Sequence, residues 1–124
     1  PRHLVPLLGR LSGYRFRAGD TARAEREADN ALALYLEERE QLPDIFRAET
    51  LTPIAESYQV MGATADALKV YRLAVEEGGA NPNARPRAED LAATCCSMAQ
   101  QEVEPDEALW ERIVELREGL VAPW

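Results

Sequence analysis

Apolar residues recur along the chain every three or four positions, in short stretches broken by glycine and proline. The pattern is plainest between Thr64 and Val75. There Ala67, Val70, Tyr71 and Ala74 share one face at helical spacing, and Leu68 and Val75 widen the stripe. The alternation that marks strands is nearly absent, and alanine, leucine, glutamate and arginine dominate. The pattern predicts an all-α chain of six helical segments, at about 4–17, 21–41, 45–61, 65–77, 87–101 and 106–119.

The breakers between them are Gly19-Asp20, Pro43-Asp44, Gly62, the run "GGANPNARP" and Glu104-Pro105-Asp106. Thr64 is expected to cap the fourth helix with its hydroxyl. Gly78 and Gly79 are expected to close that helix with a left-handed turn. Pro105 suits the first turn of the last helix, where a missing N–H costs nothing. Pro53 falls inside the third segment, where it removes a backbone hydrogen bond. A kink there is expected; the alternative is a helix that begins at Thr52 after a separate turn over 44–51.

At 124 residues the chain is expected to form a single domain, 1–124. It begins "PRHLVPLL", without methionine or signal-peptide layout, which reads as a segment of a longer protein. No apolar run approaches the roughly 18 residues of a membrane span, so no membrane partner is expected. The net charge of −8 would repel a phosphate backbone, which disfavours nucleic acid. The charge is uneven. Residues 1–30 carry six arginines against four acids, and the remainder eight basic groups against eighteen acids. Cys95 and Cys96 are adjacent, so they point about 100° apart on a helix and should not bridge. Both read as small, buried, reduced thiols, which fits a cytoplasmic location.

The turns repeat. "AGDTARAEREADNALAL", "MGATADALKVYRLAV" and "VEPDEALWERIVEL" each follow a turn with a polar residue, an alanine and an apolar face. Gly19, Gly62 and Val103 mark three helix pairs. On these residues the chain resembles the tetratricopeptide repeat family. The middle unit carries the likeness: Leu51, Ile54 and Ala55, then Tyr58, Gly62, Ala67, Tyr71 and Ala74. In the first unit Leu8, Leu11, Ser12, Gly19, Ala24 and Ala31-Leu32 fit. In the third, Cys96 takes the small position, Ala108 the alanine position, and Ala99 replaces the aromatic. The spacing exceeds the family's roughly 34 residues, which leaves a longer helical repeat of armadillo or HEAT type as an alternative.

The resemblance implies a right-handed superhelical stack of helix pairs whose first helices line a groove for a peptide or helix of another protein. By position the groove includes Arg10, Phe16 and Arg17 from the first unit. Glu49, Thr52, Glu56 and Gln59 come from the second, and Asp90, Thr94, Ser97 and Gln100 from the third. Where some members grip a C-terminal carboxylate, this chain has Gly9, Gly13, Pro53, Asp90 and Thr94, which cannot form that clamp.

No catalytic set is legible. His3 is the sole histidine, the Gly78-Gly79 pair follows a helix rather than preceding one, and the acid clusters lack calcium-loop spacing. The expectation is a non-enzymatic protein-interaction module, with no cofactor or metal. The alternative is a helical sensor or linker region of a multidomain bacterial regulator. The last helix carries more apolar surface than a capping helix needs. Trp110, Leu120, Val121 and Trp124 are therefore expected to meet a second copy or another domain of the parent chain.

Overall fold

The computed structural model describes residues 21–121, and these are all-helical. The first predicted helix, at 4–17, lies outside them. Five α-helices follow: α1 (Thr21–Glu38), α2 (Asp44–Val60), α3 (Thr64–Gly79), α4 (Ala84–Gln100) and α5 (Glu107–Val121). A 3-10 turn, Arg39–Gln41, ends α1 earlier than its apolar pattern suggested. Each of α1 to α4 packs on the next helix. In addition α2 touches α4, and α3 touches α5.

The core follows the helical spacing. α1 buries Ala24, Ala28, Ala31 and Tyr35 on one stripe. α2 contributes Leu51, Ile54, Ala55 and Tyr58, and α3 contributes Ala67, Val70, Tyr71, Ala74 and Val75. Ala67 is fully buried, as expected of a small residue that lets two helices approach. Each large aliphatic side chain withdrawn from water contributes about 1.5–3 kcal/mol.

Three tyrosines combine this burial with a polar tie between helices. The Tyr58 hydroxyl donates to Asp29 Oδ1 of α1 at 2.6 Å. The Tyr35 hydroxyl donates to Glu77 of α3, whose carboxylate also takes two hydrogen bonds from Arg39, at 2.7 and 2.8 Å. Burial alone would raise the Glu77 pKa, but the bonds from Arg39 and Tyr35 outweigh it and hold the carboxyl below its ordinary range. Tyr71 meets Ser97 Oγ of α4 at 2.7 Å. Ser97 in turn donates to Glu56 Oε2 of α2 at 2.8 Å, so its single proton is spent and Tyr71 must be the donor to it. Burial, with Glu56 nearby, pushes the Tyr71 phenol up to about 12.

α2 runs through Pro53 as one helix, so the reading with a separate turn over 44–51 does not hold. Proline's ring is buried there, and the hydroxyls of Thr50, Thr52 and Ser57 donate to carbonyls one turn back. The start of α3 also differs from expectation. Thr64 is its first helical residue, and Ala63 holds the cap position without a side-chain bond. At its other end Gly78 and Gly79 are still helical, and neither has a positive φ. Their lack of a side chain serves packing instead. A Cβ on Gly78 would lie 2.8 Å from the Asp90 Cβ, and one on Gly79 would lie 2.9 Å from a Leu116 methyl.

α4 starts three residues earlier than predicted, because a proline is tolerated in a first turn and Pro86 sits there. Asn81 folds the preceding loop, accepting the Asn83 N–H at its Oδ1 (3.1 Å). α5 is capped by Asp106, whose Oδ1 accepts the Leu109 N–H at 2.8 Å, so Pro105 precedes the cap rather than occupying the first turn.

Two of the turns close in the same way. After α2, Gly62 has φ 78°, its N–H bonds to the Gln59 carbonyl, and the Ala63 N–H bonds to the Tyr58 carbonyl. After α4, Glu102 has φ 56°, its N–H bonds to the Ala99 carbonyl, and the Val103 N–H bonds to the Met98 carbonyl. Both are the same six-to-one, five-to-two closure. Glu102, not Val103, is thus the partner of Gly62. Two expectations shift with it. Cys95 takes the small position of Ala55, whereas Cys96 is exposed. Met98, buried, takes the place of Tyr58. Ala108, by contrast, is exposed because the loop 103–106 is longer than the one after Gly62, and Leu109 is the buried residue in the first turn of α5.

Candidate functional site

α2 is enclosed on most sides, with Ala48, Thr50, Leu51, Pro53, Ile54, Ala55, Ser57 and Tyr58 all buried. Beyond the ends of the helix and half-buried Phe46 and Arg47, a narrow stripe at helical spacing reaches the surface: exposed Ile45 and Glu49, then half-buried Thr52, Glu56 and Gln59. Four of these are the residues expected from the sequence. Ile45 was missed. It is 47% exposed, one turn before Glu49, and its i−4 spacing was the available signal.

α4 borders this stripe. Asp90 stands where α4 approaches Gly78 of α3, with Glu49 of α2 and Glu89 of α4 near enough to act on it. Burial first, and then those two carboxylates, raise the Asp90 carboxyl to about 6. One of its oxygens, like the Gln59 side-chain oxygen, is buried without a hydrogen-bond partner. Gln100 is exposed. Thr94 and Ser97 are not on the open surface. They are 1% and 4% exposed, facing the core, and Ser97 is committed to Tyr71 and Glu56. Of the four α4 residues expected at the surface, only half-buried Asp90 and exposed Gln100 reach it. Arg10, Phe16 and Arg17 lie outside the described residues.

The open face is acidic. Among the described residues Glu49, Glu56, Glu89 and Asp90 have no basic side chain paired with them there, except that Arg85 meets Glu89 at 3.0 Å. Basic residues are used elsewhere. Arg72 pairs with Asp106 and Arg112 with Glu76, both at 2.5 Å, tying α3 to α5.

Two of the expected C-terminal contact residues can be placed. Trp110 is 58% exposed, whereas Leu120 is half-buried in the wall of a cleft between α3, α4 and α5. Trp124 lies outside the described residues, as does the side chain of Val121. Among the described residues no cluster of His, Cys, Asp and Glu could hold a metal ion, and no helix is long and apolar enough to cross a membrane.

No protein-family model matches the chain, and neither a curated protein nor a solved structure is similar to it.

Proposed function

We propose that the chain is a protein-interaction module, a tetratricopeptide-like stack of helix pairs, and that its α2–α4 groove binds a segment of another protein bearing lysine or arginine. One observation carries this reading. Most of α2 is buried, and a surface stripe along it carries Glu49 and Glu56 beside α4, where Glu49 and Glu89 act on Asp90. A stripe of acids flanked by one exposed isoleucine matches a basic segment with an aliphatic residue near its end. Buried Ala55 and Ala67, with the paired turns at Gly62 and Glu102, support the repeat architecture.

Selection from a random displayed-peptide library tests the proposal. Enriched sequences are expected to carry lysine or arginine and to lose binding when Glu49 and Glu56 are both changed to lysine. Enrichment of acidic or uncharged peptides, or binding indifferent to that double change, would contradict it.

Trp110 favours a second reading. An indole 58% exposed on the last helix suits contact with a second copy or with another domain of a multidomain regulator. Sedimentation at rising concentration, beside Trp110→Ser, tests the first form of that contact.

A further inference from the structure

A second recess lies away from the acidic groove, between the end of α3, α4 and α5. It is an open cleft of about 250 Å³. Leu91, Leu116 and Leu120 give it apolar walls, and Arg87 and Arg112 stand beside them. The two glycines at its edge create the room. Gly79 lets Leu116 pack against α3, and a Cβ on Gly119 would meet nothing within 4 Å.

The two arginines differ. Arg112 is saturated, bonded to Glu76 on one side and Glu115 on the other. Arg87 is not paired with any carboxylate among the described residues. Its Nη1 donates to the Asn81 carbonyl at 2.9 Å, which holds the guanidinium in place and leaves its other donors for a ligand. Glu115 also lines the cleft, but its carboxylate is taken by Arg112, so Arg87 is the cation there without an ion-pair partner among the described residues. At about 250 Å³ the cleft is sized for a small ligand rather than for a segment of chain.

We propose that this cleft binds a small amphiphilic monocarboxylate, its apolar body against Leu91, Leu116 and Leu120 and its carboxylate on Arg87. The contact would be a charge-assisted hydrogen bond at the edge of a desolvated apolar surface.

Titration calorimetry of the whole chain with octanoate tests this, with octanol and acetate as the two halves of the ligand. Octanoate is expected to bind one to one, with Kd on the order of 0.1 mM, and both halves far more weakly. Arg87→Gln should weaken octanoate at least about tenfold while the chain stays folded by circular dichroism, with at most the small loss of melting temperature expected from its bond to Asn81. Gly119→Leu, which grows into the open space, should abolish binding while the melting temperature holds or rises. Absence of octanoate binding, octanol binding as tightly as octanoate, or either folded variant binding like the parent chain would overturn the proposal.

Discussion

Gly62 and Glu102 occupy the same left-handed position in two turns forty residues apart, with φ of 78° and 56°. Glycine adopts this conformation freely, whereas a residue with a Cβ pays about 1 kcal/mol or more for it. Glu102→Gly is therefore expected to stabilise the chain by about 1 kcal/mol, and Gly62→Ala to destabilise it by a similar amount. Denaturant melts of both variants check this. Opposite signs are the expected outcome.

Gly78 and Gly119 are both helical, and their alanine variants should part company. Replacing a helix-interior glycine gains up to about 1 kcal/mol from propensity alone. At Gly119 nothing opposes that gain, so Gly119→Ala should raise the melting temperature. At Gly78 the new methyl would meet the Asp90 Cβ at 2.8 Å, so α4 must shift and Gly78→Ala should lower it. Ala67→Glu is the severe case. It places an unpaired charge at a fully buried site, and a loss of about 3 kcal/mol or more is expected.

The helices and the core were legible in the sequence because periodicity reports which face is buried. Ala67, Val70, Tyr71 and Ala74 needed nothing further. The open stripe of Glu49, Thr52, Glu56 and Gln59 was legible for the same reason, as the complement of the buried face. The third unit was placed one residue out. Its turn uses a glutamate where the middle unit uses glycine, and no residue-type signal marks a left-handed glutamate. The positions of α4 keyed to that turn moved with it, including the exchange of Cys95 and Cys96, while the longer loop before α5 displaced the expected alanine. Gly78-Gly79 misled because a glycine pair at a helix end serves equally as a stop or as a close contact. Only the proximity of Asp90 and Leu116 distinguishes the two.

The cysteines offer a direct check of the corrected register. Cys96 is exposed, whereas Cys95 is half-buried and its thiol is pushed up, by burial and then by Cys96. Thiol labelling in native buffer, read by peptide mass mapping, should modify Cys96 first and Cys95 slowly. Labelling in denaturant should remove the difference.

Asp90 gives the chain a pH signature. Its folded-state value of about 6 lies above the roughly 3.9 of an unfolded aspartate. The folded state therefore prefers the protonated acid. That contribution is fully present below about pH 4 and is lost as the pH rises through 6. Because the group is partly exposed to water, the effect should be about 1 kcal/mol. Asp90→Asn should be more stable than the parent chain at pH 7, and the difference should shrink as the pH falls to about 4. Thermal melts across that range measure it.

The central claim is that the acidic stripe of α2 docks a basic segment, and a charge-swap cycle tests it most directly. A library-selected peptide is measured by fluorescence anisotropy against the parent chain and Glu49→Lys. Both measurements are repeated with the peptide's contacting lysine changed to glutamate. Each single change should weaken binding by about 1 kcal/mol or more, and the two together should restore part of the loss. Losses that simply add, with no recovery in the doubly changed pair, would contradict the account.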